Sequence, residues 1–311
     1  MDLRQLRALV AVADHQSFSA AARSLHTVQS NVSTHIARLE RELGVTLVER
    51  ATGELTPEGI AVVSRARRID AELSAIDAEI MSMIGEVSGT VRVGVIGTTA
   101  RWLVPELFQS LQVGYPKVRL ILVDATTSSL LPQVTSGRLD SAVVNLPVDH
   151  PDVAVDALFE EDRIIVAPLD HPLAAFDEIS VEQLSAFPLL MNPPGTTFRD
   201  AVDAEAASRG VTLNTQVEVD GMRLLASLAF QGYGAALLPA SAAPRWIVGN
   251  WKRVRVEGLT RRAVGLAVSR RTSPPAPARA VRETIRAVVL AFGPQQPGVH
   301  LLERSGTPAE A

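Results

Sequence analysis

Residues 17–59 read SFSAAARSLHTVQSNVSTHIARLERELGVTLVERATGELTPEG, and this stretch decides the fold of the N-terminal part of the chain. A short helical pattern over 20–25 contains small alanines, and Ser19 is placed to cap its start. A longer pattern covers 28–43 and ends at Gly44, a residue type that closes many helices. Upstream, Asp2 is placed to cap a first helix with one apolar stripe. The sequence therefore predicts three successive helices.

The third predicted helix has two different faces. One is apolar and repeats at helical spacing, and it consists of Val28, Val32, Ile36, Leu39 and Leu43. The other is mostly polar, and it carries Ser30, Ser33, Thr34, Ala37 and Arg41, with Gln29 and Arg38 at its flanks. Two short helices joined by a tight turn, the second with small polar donors, form the helix-turn-helix layout, whose donors pair with bases or phosphates. A three-helix bundle with a solvated polar face fits the same pattern.

The stretch 17–59 closely resembles the DNA-binding segment of LysR-type regulators. The resemblance covers the second helix, the turn, the third helix, the LVER strand and the LTPEG restart, and it is free of gaps as far as the wing. It implies a winged helix-turn-helix that binds double-stranded DNA, with Arg50 at the DNA backbone. In this family such domains control promoters, so RNA polymerase is a possible further partner.

The segment departs from the family pattern at several positions. Val28 stands where the family usually has a capping Ser, and Thr27 is placed to cap one residue earlier. Ser30 and Thr34 stand where Pro and Arg are common, and the wing at 51–54 lacks the usual basic residues. Residues 1–68 hold nine Arg and seven acidic residues, a net charge of +2. We therefore expect modest DNA affinity per subunit, increased by oligomer avidity.

A long helix is predicted next. Thr56 is placed as its N-cap, Pro57 in its first turn and Glu58 near its positive end. Apolar residues then follow a four-three spacing, which is typical of a dimerising seam: Val62, Ala66, Ile69, Leu73, Ile76, Ile80, Met83 and Val87. A helix packed on its own domain is the alternative. In the resembling family this helix pairs with its twin, and four chains commonly assemble.

Strand and helix patterns alternate from Thr90 onward, which predicts largely parallel sheets flanked by helices. This region resembles the two-lobed effector domain of the same family, which is related in fold to periplasmic solute-binding proteins. Lobe one is expected over 90–162 plus the last helix, and lobe two over 163–268. The predicted fold is α/β: a winged helix-turn-helix domain (1–57), a dimerising linker helix (58–89), the two-lobed effector domain (90–292) and a disordered tail (293–311).

The predicted ligand site lies between the lobes, because ligands of open α/β sheets sit beyond the carboxyl ends of strands and near helix N-termini. The residues that follow predicted strands or begin helices there are Thr98, Thr99, Ser128, Asn145, Thr196 and Thr197. Neutral hydroxyl and amide groups beside free N–H groups favour a small organic acid. Helix capping is the alternative role of each residue. The orientation of Arg101 and Trp102, toward the cleft or away from it, stays open.

Composition excludes several other functions. The 311 residues have a net charge of −4 and contain no Cys, so disulfides and thiol chemistry are excluded. The six His form no metal-binding motif, and no nucleophile elbow or P-loop is present, so neither a metal, a cofactor nor enzymatic activity is expected. No apolar run is long enough to span a membrane, and a cytoplasmic location is expected. A solute-binding protein without DNA regulation is the alternative, but it leaves 1–89 unexplained.

Overall fold

The computed structural model describes residues 1–83, 86–271 and 273–302. Its N-terminal domain contains the helices α1 (Leu3–His15), α2 (Phe18–Ser24) and α3 (Gln29–Leu43). A capping box between Asp2 and Gln5 begins α1, as predicted for Asp2. Ser17, rather than Ser19, caps α2, because its side chain accepts the hydrogen bond from the Ala20 N–H.

The start of α3 differs from the prediction. Val28 is the N-cap residue and no side chain caps the helix. Thr27 does not replace the missing cap, because its Oγ1 accepts a hydrogen bond from the Asn31 side chain at 3.0 Å. The helix ends as predicted at Gly44, which adopts the left-handed conformation with a φ of 71°.

A small apolar core holds the N-terminal domain together. Val32, Ile36 and Leu39 of α3 are fully buried against α1 and α2. A single antiparallel bridge between Val48 and Leu55 forms the wing. The expected apolar face of α3 is therefore confirmed in its centre, whereas Val28 and Leu43 at its ends are exposed.

The long helix α4 (Pro57–Met83) begins where predicted, because the Thr56 hydroxyl accepts a hydrogen bond from the Gly59 N–H at 3.0 Å. It ends before Val87, the last residue of the predicted seam. Its first half packs on the N-terminal domain, where Ala66 is buried. In its second half Ile76, Ile80 and Met83 are more than half exposed. Packing on its own domain, the alternative given for this helix, thus holds for its first half, whereas the apolar residues of its second half are open in the single chain.

Lobe one contains one six-stranded sheet with the order β12-β4-β11-β3-β1-β2. Its strands are β1 (Gly89–Val95), β2 (Val118–Asp124), β3 (Ser141–Asn145), β4 (Val153–Glu161), β11 (Arg262–Ser269) and β12 (Val299–Leu301). The first three run parallel, as βαβ patterning predicts. Three helices cover the sheet, α5 (Gly97–Gly114), α6 (Thr127–Thr135) and α10 (Ala276–Phe292).

Lobe two contains the second sheet, with the order β6-β10-β5-β9-β7-β8. Its strands are β5 (Arg163–Pro168), β6 (Glu178–Ser180), β7 (Leu189–Met191), β8 (Thr215–Glu218), β9 (Ala235–Pro239) and β10 (Trp251–Glu257). The helices are α7 (Val181–Leu184), α8 (Thr197–Ser208) and α9 (Met222–Phe230). Short 3-10 turns lie at Pro172–Ala175 and Ala240–Ala242 in this lobe, and a third follows α10 at Gly293–Gln295.

Two expectations about the domain boundaries are wrong. The segment 262–268 was expected in lobe two, but β11 pairs antiparallel with β3 and β4 in lobe one. The tail from 293 was expected to be disordered, but β12 pairs with β4 and buries Val299. A strand of three residues directly after Pro297 and Gly298 is too short to show the alternation of apolar and polar residues that predicts a strand. Residues 303–311 lie outside the described part of the chain.

Two short segments connect the lobes. One passes from β4 to β5 at 161–163, and the other passes from β10 to β11 at 257–262. Glu205 of α8 touches both, because its carboxylate pairs with Arg163 at 2.6 Å and accepts hydrogen bonds from Thr260. A change in the angle between the lobes would alter the conformation of these two segments and therefore their contacts with Glu205.

Candidate functional site

The polar face of α3 lies on the outside of the N-terminal domain. Ser30, Thr34 and Arg38 are exposed and Ser33 is half-buried, on the side opposite the buried residues of the helix. Gln29 is also exposed, and its Oε1 accepts a hydrogen bond from Ser19 at 2.8 Å. Ser30, Thr34 and Arg38 thus share one accessible face of α3, and Ser33 lies at its edge.

Arg50 is held in place by two neighbours. Its guanidinium forms an ion pair with Glu40 at 2.8 Å and lies 5.5 Å from the centre of the Phe18 ring. The same Glu40 carboxylate accepts hydrogen bonds from the N–H groups of Leu47 and Val48. Sequence reasoning missed Glu40, which fastens the wing to α3. About half of the Arg50 side chain stays exposed, so it can still reach a phosphate.

Two of the four residues predicted in lobe one, Thr98 and Thr99, lie at the N-terminus of α5. Thr98 is buried, and its Oγ1 accepts a hydrogen bond from Arg262 at 3.0 Å. Thr99 is fully buried, and among the described residues its Oγ1 has no hydrogen-bond partner. No side chain caps this helix, so its first N–H groups face the same region. A buried hydroxyl without a partner is costly, and a ligand or a water molecule that bonds to it would remove that cost.

In the two other lobe-one residues, Ser128 and Asn145, some of the polar atoms already form hydrogen bonds within the lobe. Ser128 is exposed, and its hydroxyl lies 3.0 Å from that of Thr126. The Asn145 N–H donates to Thr127 at 3.0 Å, which fixes the end of β3. The Asn145 Oδ1 is buried without a partner. Thr99 and Asn145 thus each have an unused oxygen atom.

The lobe-two residues are placed less favourably. The Thr196 hydroxyl donates to the Pro193 carbonyl at 3.0 Å, and Thr197 is exposed at the first turn of α8. Asp200 accepts a hydrogen bond from the Gly195 N–H at 2.8 Å, so a carboxylate already occupies this helix start. Among the described residues no hydrogen bond or ion pair connects Thr196 or Thr197 with lobe one.

Two arginines define the junction of the lobes near α5. Arg223 of lobe two pairs with Asp124 of lobe one at 2.6 Å. Arg101 of α5 reaches lobe two, where its Nη1 donates to the Ala242 carbonyl at 3.1 Å. Burial lowers the pKa of Arg101, and the charge of Arg223 lowers it further. Trp102, in contrast, is buried in the lobe-one core, with its ring 5.5 Å from that of Phe159.

A buried ion pair contacts the start of α5 through a hydrogen bond to Thr98. Glu161 is fully buried and pairs with Arg262, whose Nη2 also donates to Thr98. The second Glu161 oxygen accepts a hydrogen bond from the Ser241 N–H of lobe two at 2.6 Å. Sequence reasoning missed this network, because it assigned the strand of Arg262 to the wrong lobe.

The described residues show no group of three His, Asp or Glu side chains that could hold a metal ion. No helix in the same part of the chain has the length and apolar character that crossing a membrane requires.

Two family models match the chain. The model described as "Bacterial regulatory helix-turn-helix protein, lysR family" matches residues 3–60, and "LysR substrate binding domain" matches residues 85–290. A probable hydrogen peroxide-inducible genes activator of Streptomyces viridosporus is 35% identical over 289 residues, which cover 91% of this chain and 88% of that protein. The DNA-binding transcriptional dual regulator OxyR of Escherichia coli K12 is 33% identical over 247 residues, with 78% and 81% covered.

Solved structures agree with this assignment. Full-length OxyR of Pseudomonas aeruginosa, with a cysteine-to-aspartate substitution, has a TM-score of 0.73 at 26% identity and covers 94% of this chain and 98% of its own. Full-length CbnR complexed with its target DNA has a TM-score of 0.66 at 25% identity, with 93% and 100% covered. The chain therefore belongs to the LysR family and is a DNA-binding transcriptional regulator.

Proposed function

We propose that this regulator responds to a small organic acid bound between its two lobes, and that Thr99 contacts the acid. The observation that carries the proposal is the fully buried Thr99 hydroxyl, which has no partner at the uncapped start of α5. Arg101 adds positive charge at the same junction and, among the described residues, has no carboxylate partner. An uncapped helix start beside a guanidinium favours an anion.

Hydrogen peroxide is the second candidate, because the similar regulators of Streptomyces viridosporus and other bacteria are named for it. These 311 residues contain no cysteine, so peroxide cannot act here through a sulfenic acid or a disulfide. A peroxide response of this chain would have to rest on non-covalent binding or on methionine oxidation. The proposal therefore favours reversible binding of an anion.

Calorimetry of the full chain with a panel of small carboxylic acids, and with hydrogen peroxide, tests the proposal. We expect one acid to bind, and the Thr99→Val variant to bind it about 2- to 150-fold more weakly, because one hydrogen bond to a charged or neutral partner is lost. The melting temperature of the free variant should not fall, since the hydroxyl has no protein partner to lose.

Thr284→Val is the matched control, because it removes a hydroxyl of lobe one that bonds within α10. It should leave acid binding unchanged. An acid bound equally well by the parent and by Thr99→Val would place the site elsewhere. Binding of hydrogen peroxide alone would favour the second candidate.

We further propose that α3 contacts DNA and that Arg50 binds a phosphate. The contacting residues of α3 are Gln29, Ser30, Ser33, Thr34 and Arg38. Their shared exposed face on α3 supports this. Ser33→Asp should abolish binding to a duplex selected from a random pool, because it adds a negative charge next to phosphates. A gel-shift titration checks this, and Ser208→Asp, at the exposed C-terminal end of α8 in lobe two, is the control. If the Ser33 variant binds the duplex with unchanged affinity, this face of α3 does not contact DNA.

The exposed seam of α4 supports a proposal about assembly. Ile69, Ile76, Ile80 and Met83 keep the four-three spacing and stay open in the single chain. We expect Ile76→Asp to dissociate the dimer, since burying an unpaired carboxylate costs several kcal/mol. Light scattering should show a smaller mass for this variant than for Ile60→Asp, which changes an equally exposed residue off the seam. Equal masses would mean that the seam is not the interface.

Assembly into a tetramer and contact with RNA polymerase stay predictions. A tetramer needs a second interface besides the seam, and contact with RNA polymerase needs a surface that no described feature identifies.

A further inference from the structure

A large cavity lies where three parts of the molecule meet. Its volume is about 940 Å³, which is in the range of small-molecule sites. Helix α1 of the DNA-binding domain, the middle of α4 and the α6–β3 region of lobe one form its walls. It is separate from the site proposed between the lobes, since none of Thr98, Thr99 or Asn145 lines it.

The walls of this junction cavity carry more positive than negative charge. Six arginines line it, and they are Arg7, Arg67, Arg68, Arg92, Arg138 and Arg282. Four carboxylates line it, and they are Asp14, Asp70, Glu72 and Asp140. Burial raises the pKa of Asp140, whereas the Arg92 N–H, which donates to its carboxylate, acts in the opposite direction.

The ion pairs in the cavity leave several guanidinium groups without a carboxylate of their own. Arg7 pairs with Asp70 at 2.8 Å. Arg67 and Arg138 share the single carboxylate of Asp14, the latter at 2.8 Å. Two guanidiniums on one carboxylate leave one positive charge uncompensated.

Arg68 and Arg282 have unused donors. The Nε atom of each is buried and finds no hydrogen-bond partner in the part of the chain that the structure describes. Arg68 donates its Nη2 to Ser64, and its side chain passes within reach of Gly137 of lobe one. Burial lowers the pKa of both arginines. Buried guanidinium donors without acceptors are satisfied best by an anion with several oxygens.

The charged groups come from both sides of a domain boundary. Asp14 belongs to α1 of the DNA-binding domain, Arg67 to α4 and Arg138 to lobe one. A ligand that contacts all three walls would bind the arrangement seen here better than one in which the domains are apart. Such a difference in affinity is what allows a ligand to shift a conformational equilibrium.

We propose that the junction cavity binds a multivalent oxyanion, carried on phosphate or on several carboxylates, and that this anion holds the DNA-binding domain against lobe one. Arg68 and Arg138 are the residues that contact it from α4 and from lobe one. The site acts independently of the ligand between the lobes.

Titration of the full chain at low salt with inorganic pyrophosphate and, separately, with citrate tests the proposal. We expect saturable binding of at least one probe, with one site per chain. Arg68→Gln and Arg138→Gln should each weaken it about tenfold or more, as expected when a charge-assisted contact is lost. Preference for one probe identifies phosphate or carboxylate as the group recognised. Arg119→Gln removes an exposed arginine of β2 that does not line the cavity, and it should bind like the parent.

Amide hydrogen exchange supplies the second readout. The bound probe should slow exchange in α1 and in 133–140 together, because it connects the two walls. Thr99→Val should leave both results unchanged, which separates this site from the one between the lobes. The proposal is overturned if neither probe binds, if both arginine variants bind like the parent, or if Arg119→Gln weakens binding equally.

Discussion

Replacement of Glu161 by glutamine is expected to lower the free energy of unfolding by about 3–5 kcal/mol, the usual cost of removing one partner from a buried ion pair. Glu161 is fully buried, and its partner Arg262 is nearly so. The variant leaves the Arg262 guanidinium in the interior without a compensating charge. It also weakens the acceptor for the Ser241 N–H, which joins lobe two to the network. Urea unfolding followed by the fluorescence of Trp102 and Trp251 measures the change.

Two further variants sharpen this test. Glu160→Gln changes the neighbouring carboxylate, which forms no ion pair in the described part of the chain, and it should cost less than about 1 kcal/mol. The double variant Glu161→Met, Arg262→Met removes both charges and should recover much of the loss. If Glu161→Gln unfolds at the same urea concentration as the parent, the network does not stabilise the lobe junction.

Replacement of Gly59 by alanine is expected to disrupt the joint between the wing and α4. A Cβ at this position would lie 2.0 Å from the Leu47 carbonyl oxygen, which is far inside van der Waals contact. That oxygen also accepts the hydrogen bond of the Thr56 N–H, so moving it breaks the start of α4. We expect a cost of about 3 kcal/mol, the upper end of the usual range for overpacking, because a backbone carbonyl cannot rotate away as a side chain can.

Hydrogen exchange is the suitable measurement, because the three tryptophans lie outside the N-terminal domain. A cost of about 3 kcal/mol should speed exchange of amides at 47–56 by roughly a hundredfold. Gly114→Ala is the control, because a Cβ there meets no atom within 4 Å. Equal protection of the wing in Gly59→Ala and Gly114→Ala would show that the joint has room for the methyl group.

The N-terminal domain was largely predictable from the sequence, because its helices have local signals. Asp2, Thr56 and Gly44 begin or end helices as their residue types indicate. The errors are also local. Ser17 and Ser19 are both good caps, and only the observed backbone shows that Ser17 lies at the boundary.

The sequence did not show the division of the lobes. A strand pattern gives no information about which sheet the strand joins, so β11 was assigned by its position in the chain. The buried partners Glu161 and Arg262 are 101 residues apart, and no spacing rule connects them. The strand β12 was missed because composition suggested disorder where three residues pair with β4.

The sequence predicted the positions and residue types of the candidate ligand residues, but not their hydrogen-bond partners. Strand ends located Thr98, Thr99 and Asn145, and the structure shows that two of these have an unused oxygen. The same rule selected Thr196, whose hydroxyl is satisfied within its own loop. Hydrogen-bond partners, which decide between a cap and a ligand contact, depend on the folded chain.

A footprint on a selected DNA duplex, recorded with and without ligand, tests the central claim that this cysteine-free regulator responds to a reversibly bound anion. The account predicts that the acid found by calorimetry changes the length or the cleavage pattern of the footprint, and that its removal restores the original pattern. Hydrogen peroxide should leave the footprint unchanged. A footprint that changes with hydrogen peroxide and with no carboxylic acid would contradict the account.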